Sequence, residues 1–449
     1  MQTSEQTEPH SDYTPWRAAK FYIPLLIQAV SQSLTYPLVA SIVSHGKNGV
    51  VDLAAFAQGQ AVMFVICAMG GGLLTTGMVF GRDAEGFRQF KRLNLRLCVG
   101  LVLLQTLVCF HPFDQFVFRG MLGLESPMDG IAREVLFCSI PLHICFFLRN
   151  PGLVALYNAR ASAAANWGTL CRILITACLS PLFVRAGCVG HLWGTFAMTG
   201  PVLVELLLVR WLAKSYIRRL QPPPSDTASL GTQFRFTVPL SFGGMLLACA
   251  GFMIGAFIAR ADDPARMLPI HYVTMGVVNP VGFAALRMQA VVLAFPPRDK
   301  RDHRILTFAL VAGVLLAVFP WVGQIPAVAH WYFGQIQNVP AGDIHLAMQA
   351  MMLVSVLPIV QSMRGHAEGL AAWRRRPNAI LAGQAMNLAT LVCVLFLGLT
   401  FGLPGYLMGV IAILAAALMT FVTVRMGLLW DEEMEATFGR TPRVRASEE

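Results

Sequence analysis

The chain has 449 residues, of which 56% are hydrophobic and only 13% are charged, and its formal net charge is +10. A soluble domain carries roughly 25% charged residues, so this composition excludes an ordinary soluble globular protein. The abundance of apolar side chains also excludes a disordered one. What remains is a polytopic membrane protein with membrane lipids around its outer surface.

A hydropathy window predicts twelve membrane helices along the chain. The predicted spans are residues 21–44, 53–80, 93–111, 131–156, 165–185, 189–213, 233–259, 268–295, 304–323, 343–364, 379–401 and 405–429. Most Lys and Arg residues fall in the loops on the side of the two termini. By the positive-inside rule, both termini are therefore expected in the cytoplasm, with a bacterial inner membrane as the expected location. Nucleic-acid binding is not predicted, because no basic run with interleaved aromatic residues occurs.

The sequence contains an internal repeat, in which the second half resembles the first. Residues 20–25 (KFYIPL) open the first helix, and residues 235–240 (RFTVPL) open the seventh. Residues 80–83 (FGRD) match residues 295–299 (FPPRD), and residues 140–142 (IPL) followed by Arg149 match residues 357–359 (LPI) followed by Arg364. Each half holds an even number of spans, so the sequence predicts two parallel six-helix lobes around a central cleft.

These boundaries give a predicted domain organisation. The stretch QPPPSD at 221–226 is typical of a flexible linker. The predicted parts are a cytoplasmic tail at 1–20, an N-lobe of helices one to six at 21–214, a cytoplasmic linker at 215–232, a C-lobe of helices seven to twelve at 233–430 and a cytoplasmic tail at 431–449.

Several of these features resemble a known superfamily. The proline one turn into helices one and seven, the short basic loops after helices two and eight, and residues 123–127 (GLESP) before helix four resemble the multidrug/oligosaccharidyl-lipid/polysaccharide (MOP) flippase superfamily, with its MATE-like fold. Within it, residues 279–282 (NPVG), 290–295 and 356–366 are similar to the progressive ankylosis protein family. The resemblance implies an all-α transporter that exports a polyanion such as pyrophosphate, a nucleotide or citrate.

A major-facilitator carrier is the alternative architecture, since it also has two parallel six-helix halves. Residues 81–88 (GRDAEGFR) lack the aspartate-arginine-x-glycine-arginine run usual in that family, which disfavours it.

Charged side chains at membrane depth are costly, so they face a cavity or a partner. Arg287 and Arg172 lie well inside predicted spans. We expect their planar guanidinium groups to bind an anionic substrate; the alternative is that they snorkel or pair with a group on a neighbouring helix. Further residues predicted to line the cleft are Gln28, Gln32, Asn279, Gln289, His143 and His271.

A second group of polar residues is predicted at the cytoplasmic ends of helices four and ten. Arg149 and Arg364 occupy matching positions there, and His366 and Glu368 lie beside Arg364. The position at a helix end favours a gating or anchoring role over a catalytic one. The sequence contains no HExxH, no GxSxG and no paired intramembrane aspartates, so no enzyme, cofactor or metal site is predicted.

The acidic residues bear on energy coupling. Glu134, Glu205 and Glu368 are predicted near helix ends, and no Asp lies in the middle of a predicted span. Carriers coupled to protons or sodium usually need buried carboxylates, so we expect an exporter of a small anion that is driven by exchange or by the membrane potential. We expect the protein to be a monomer. The alternatives are a flippase for a lipid-linked saccharide and a MATE-like multidrug efflux carrier.

Overall fold

The structure is a computed structural model that describes residues 13–47, 50–124, 126–222, 227–297, 303–337 and 339–437. Twelve long helices follow one another in these ranges. They are α1 (Pro15–Ser44), α2 (Val50–Ala68 and Leu73–Phe80), α3 (Ala84–Val108), α4 (Met128–Cys138 and Ile140–Asn158), α5 (Ser162–Arg185), α6 (His191–Arg218), α7 (Leu230–Ile258), α8 (Pro264–Leu286 and Met288–Ala294), α9 (Arg304–Val322), α10 (Ile344–Val354 and Leu357–Trp373), α11 (Pro377–Thr400) and α12 (Gly405–Thr437).

Ten of the described helices are long and apolar enough to cross a membrane. The other two, α1 and α3, are long enough but more polar. The first half of α3 is basic, with Arg88, Lys91, Arg92 and Arg96, and α1 carries buried polar side chains along its length. An α-helix needs about 20 residues to span the hydrocarbon core of a bilayer, and α1 has 30 res and α3 has 25 res. The twelve predicted helices are therefore present.

The predicted duplication is confirmed by the helix bounds. Helix α1 begins at Pro15 and α7 begins at Leu230, and α5 at Ser162–Arg185 corresponds to α11 at Pro377–Thr400, in each case at the spacing of the sequence repeat. Even the interruption of α2 before Leu73 recurs in α8 before Met288. Helices α1–α6 form the N-lobe, and helices α7–α12 form the C-lobe.

The hydrophobic cores show where the lobes meet. We name the side of the bundle on which α6 ends and α7 begins the linker face, and the opposite side the outer face. One core cluster near the linker face contains residues of both lobes, such as Phe21, Phe80, Phe236 and Phe295. Toward the outer face each lobe has a cluster of its own. The lobes are therefore joined at the linker face.

The first helix of each lobe crosses to the other lobe. On α1, the Tyr22 hydroxyl donates to the Ala284 carbonyl of α8 at 3.3 Å. On α7, the Thr237 hydroxyl lies 2.8 Å from the Thr76 hydroxyl of α2. The two crossings are related by the repeat, and they bring α1, α2, α7 and α8 to the interface between the lobes.

Parts of the predicted tails and linker, residues 1–12, 223–226 and 438–449, lie outside the described residues, as does the side chain of Gln32.

Candidate functional site

A cavity of about 440 Å³ lies between the two lobes. Helices α1 and α2 of the N-lobe and helix α8 of the C-lobe line it. Its lining consists of Ala29, Leu74, Thr75, Met78, Phe283, Leu286, Arg287, Gln289, Ala290 and Leu293. Cavities that hold small molecules measure roughly 300–1,000 Å³, so this one has the size for a small solute.

The break in α8 positions the polar side chains of the cavity. Arg287 stands between the two segments of α8, and its backbone N–H donates to the Ala284 carbonyl at 3.1 Å. Two residues later, Gln289 Nε2 donates to Thr75 Oγ1 of the N-lobe at 3.3 Å. Discontinuous membrane helices commonly form the binding sites of transporters, so this break marks a candidate substrate site.

A buried cluster of charges lies inside the N-lobe. Nη1 of Arg172 on α5 and Nη1 of Arg149 on α4 lie 3.0 and 2.8 Å from the same oxygen, Oε2 of Glu205 on α6. The other carboxylate oxygen of Glu205 accepts a hydrogen bond from Thr169 at 2.9 Å. We name Arg149, Arg172 and Glu205 the N-lobe triad.

The neutral side chains of Thr169 and Gln28 connect this triad to the interface between the lobes. Gln28 on α1 donates to Thr169 at 3.1 Å and accepts from the Tyr157 hydroxyl at 2.7 Å. Gln28 is buried, and the next residue, Ala29, lines the interlobe cavity. The N-lobe triad and the cavity are therefore separated by the width of α1.

The C-lobe contains a smaller buried network. Arg364 Nε donates to Glu368 at 2.8 Å, and Arg364 Nη2 donates to Gln384 at 2.9 Å. Gln384 in turn donates to Glu368 at 2.9 Å. One guanidinium therefore faces one carboxylate, and the network is electrically balanced.

Aromatic and basic side chains join the lobes at the linker face. Phe21 packs edge-on against Phe295 at 5.9 Å between ring centroids, and Phe236 packs against Phe80 at 5.1 Å. Arg160 lies over the Phe295 ring at 4.5 Å, and Arg375 lies over the Phe80 ring at 4.9 Å. Each of these contacts joins a residue of one lobe to a residue of the other. They close the linker face of the cavity.

Arg160 and Arg375 both have a left-handed backbone conformation. Arg160 has a φ of 57° and Arg375 has a φ of 58°, values that few residues other than glycine adopt. Each arginine follows the last helical turn of its element, α4 or α10. The repeat thus preserves a strained turn that directs a guanidinium to the opposite lobe.

The structure brings two of the predicted substrate-binding residues, Arg287 and Gln289, into the interlobe cavity. Asn279 is exposed on α8, four residues before the cavity residue Phe283 and thus on the same helix face. Gln28 and Arg172 lie instead inside the N-lobe.

The two predicted histidines lie apart from the cavity and from each other. His143 is buried in the N-lobe, where Nδ1 lies against Gln105 Oε1 and the ring packs on Phe147. His271 is buried in the C-lobe against Gly409 of α12. The fold therefore places neither ring beside Arg287.

Three sequence-based placements need correction. Glu205 was expected near a helix end, but it is fully buried in the middle of α6, because α6 continues to Arg218. Arg149 and Arg364 were expected at helix ends, but each lies more than two turns before the end of its helix. Inside their lobes, Arg149 contacts Glu205 and Arg364 contacts Glu368. Glu368 and His366 accompany Arg364 in that interior.

Some residues of the site were missed by sequence reasoning. Thr169 precedes Arg172 by three residues and shares its helix face, which is a usable signal. Thr75, Tyr157 and Gln384 gave no such signal, because a polar residue in an apolar span equally often bonds within its own lobe.

Comparison with known proteins identifies the fold. No protein-family profile matches the sequence, and no curated protein matches it. Solved structures do match. A MOP-superfamily transporter from Pyrococcus furiosus superposes with a TM-score of 0.70 at 15% identity, over 95% of this chain and 97% of its own.

Two further solved structures belong to the MATE family. A eukaryotic MATE transporter, AtDTX14, gives a TM-score of 0.70 at 16% identity over 94% of this chain and 97% of its own. The outward-facing conformation of a multidrug resistance MATE family transporter gives 0.68 at 15% identity over 96% and 99%. The likeness to the progressive ankylosis family stays a prediction. The chain is therefore a multi-pass membrane protein with the two-lobed, twelve-helix fold of the MATE transporters in the MOP superfamily.

Proposed function

We propose that the protein is an alternating-access transporter that carries a small polyvalent anion through the interlobe cavity. The observation that carries the proposal is the position of Arg287 in that cavity, at the break in α8. A guanidinium at membrane depth beside a cavity presents several N–H donors that match the geometry of carboxylate and phosphate groups.

The surrounding charges support the same substrate class. In the N-lobe triad two guanidinium groups share one carboxylate, which leaves one positive charge in excess. Among the residues that the structure describes, those that line the cavity include no acid. This electrostatic field favours an anion over a cation.

Transport in this proposal proceeds by opening and closing the linker face. The contacts of Phe21, Phe80, Phe236 and Phe295 hold that face shut, and their separation would open the cavity to the linker side of the membrane. The repeat makes the two lobes suitable for rocking about the cavity as rigid units.

The energy source follows from the state of the acids. Glu205 contacts two guanidinium groups and Glu368 contacts one, so neither carboxylate is placed to bind a coupling cation. Exchange or the membrane potential then drives export. With the termini in the cytoplasm, as the distribution of Lys and Arg favours, outward movement of an anion gains about 2.3 kcal/mol per charge per 100 mV.

One of the similar proteins bears on the polarity of the binding pocket. The Pyrococcus furiosus transporter is described by a reverse polarity of its binding pocket that suggests a different function. The same fold thus serves pockets of different polarity. The similarity of residues 279–282 and 356–366 to the progressive ankylosis family makes pyrophosphate, nucleotides and citrate the first anions to test.

A flippase for a lipid-linked saccharide is the second candidate. A shallow apolar groove of about 640 Å³ lies between α7 and α11, and such a groove fits a lipid chain. Its lining consists of Leu246, Ala385, Leu388, Ala389, Val392, Cys393 and Phe396. The groove is separate from Arg287, however, so it does not account for the charge in the cavity.

Reconstitution into proteoliposomes tests the choice. Vesicles with a defined membrane potential would be loaded in turn with labelled citrate, pyrophosphate, ATP and a cationic dye, and a parallel set would contain a fluorescent lipid-linked sugar. We expect flux of at least one anion that follows the potential or requires an anion on the opposite side. Flipping of the lipid-linked sugar without anion flux, or efflux of the dye alone, would contradict the proposed function.

A further inference from the structure

The N-lobe triad has more positive charge than its contacts require. Arg149 and Arg172 approach the same oxygen of Glu205, while the other oxygen is taken by Thr169. The side chains of Arg149, Arg172 and Glu205 are 11%, 5% and 0% exposed, respectively. A net positive charge is therefore buried within the membrane-spanning part of the lobe, where it is costly without a counter-charge.

Several donors of the two guanidinium groups also remain unused. Nε of Arg149 and Nε of Arg172 are buried and make no hydrogen bond to any described residue. Nη1 of Arg149 shares one Glu205 oxygen with Nη1 of Arg172. Because buried donors usually have an acceptor, the triad lacks both negative charge and acceptor atoms.

The C-lobe shows that folding alone does not require this excess. At the positions that the repeat relates to Arg172 and Glu205, Asn387 donates to the Thr420 hydroxyl at 2.9 Å, which is a neutral pair. Arg364, which corresponds to Arg149, faces its own carboxylate, Glu368. At these matched positions the same helix frame therefore carries a neutral pair and an arginine with one carboxylate of its own.

We propose that the N-lobe triad is an anion site, which accepts one singly charged group between Arg149 and Arg172. Such a group is a halide or one carboxylate or phosphate oxygen pair, since each accepts hydrogen bonds from guanidinium donors. The proposed entrance for the anion is beside Arg149, because it is the most exposed member of the triad. The proposal rests on the triad and does not depend on the transported substrate.

Anion-dependent stability tests the site in the purified full-length protein. Thermal unfolding would be followed by tryptophan fluorescence over a titration with sodium chloride, and a variant that lacks the site would show how much of the change is due to ionic strength. A ligand that binds only the folded protein raises its unfolding temperature, and we expect chloride to raise that of the wild type by about 3 °C more than that of the variant.

Three variants locate the response. Arg149→Gln leaves Arg172 and Glu205 as a balanced pair, so the chloride response should disappear. Arg149→Lys keeps the charge with fewer donors and should need about tenfold more chloride for the same shift. Arg364→Gln, the matched change in the C-lobe, should lower the unfolding temperature but keep the chloride response. The lysine variant keeps the test informative if the glutamine variant does not fold.

Repeating the titration with citrate or pyrophosphate identifies the natural source of the group. If the substrate supplies it, chloride adds no stability once substrate is saturating; if a free inorganic anion supplies it, the two shifts add. Either result supports the site. A chloride response that is absent from the wild type, or equal in the wild type and Arg149→Gln, would overturn it. A wild-type protein that responds to chloride but transports no anion would contradict only the proposed function.

Discussion

In the N-lobe Arg172 of α5 faces Glu205 of α6, whereas at the repeat-related positions of the C-lobe Asn387 of α11 donates to Thr420 of α12. The two pairs occupy the same place in two copies of one helical frame. One is a buried ion pair to which Arg149 adds a second positive charge, and the other is neutral. The comparison separates the interactions that the frame needs from those that only one lobe carries.

At the linker face the aromatic and cation–π contacts of the two lobes remain alike. Phe21 contacts Phe295 as Phe236 contacts Phe80, and Arg160 and Arg375 cover the same two rings. The copies therefore match where they close the cavity and differ in their interiors. The matched contacts at the linker face suit a movement in which both lobes take part. The different interiors suit a substrate that makes stronger contacts with one lobe than with the other.

The largest difference between the lobes should appear when the acid of the triad is removed. Glu205→Gln leaves two buried guanidinium groups facing a neutral amide, and breaking a buried pair in this way costs about 3–5 kcal/mol. Thr420→Val, at the matched position of the C-lobe, removes two neutral hydrogen bonds, one from Asn387 and one to the Ala416 carbonyl, and should cost about 2 kcal/mol. Thermal or denaturant unfolding in detergent measures both. Equal losses would show that the ion pair has no special weight in the N-lobe.

The linker face should open when the arginine of either lobe is removed. Arg375→Gln removes a cation–π contact worth about 1 kcal/mol, which corresponds to an increase of about fivefold in the population open at the linker face. Arg160→Gln removes the same kind of contact and also the hydrogen bond from Arg160 Nε to the Ala294 carbonyl at 3.0 Å, so its effect should be at least as large. A cysteine introduced at Leu293, in a background without other cysteines, reports that opening through its labelling rate from the linker side. Labelling that rises in one variant only would contradict a symmetric closing face.

A smaller effect is expected for the hydrogen bond that joins the lobes across the cavity. Gln289→Leu removes its donor and Thr75→Val removes its acceptor, and each should change the apparent KM for the transported anion by less than about tenfold, because a single neutral hydrogen bond contributes about 1 kcal/mol. The double variant should behave like either single variant. Additive effects would show that the two side chains act separately.

The fold was predictable from the sequence because apolar spans and the repeat both constrain it. Helix α5 was predicted at 165–185 and is Ser162–Arg185, and α9 was predicted at 304–323 and is Arg304–Val322. Other helices are longer than predicted, and α3 is an example. It was predicted at 93–111, but it begins at Ala84, since its basic first turns continue the helix beyond the apolar segment.

The candidate site was predictable only in part. Arg287 could be found because a charge within a long apolar run requires a cavity or a partner. The ion pair of Arg172 with Glu205 could not be found, because the contact joins two different helices and hydropathy alone does not show which faces meet. The predicted end of helix six at residue 213 also placed Glu205 too close to the membrane surface. The expected lack of deep acids was therefore wrong, although both deep glutamates lie against arginines.

Anion flux through proteoliposomes that contain Arg287→Ala, Arg287→Lys or the wild-type protein tests the central claim most directly. We predict that the alanine variant folds, elutes as the wild type does and has lost its anion flux to the level of protein-free vesicles. The lysine variant should retain part of the flux, because it keeps the charge but not the planar set of donors. Wild-type flux in Arg287→Ala would contradict an anion site in the interlobe cavity.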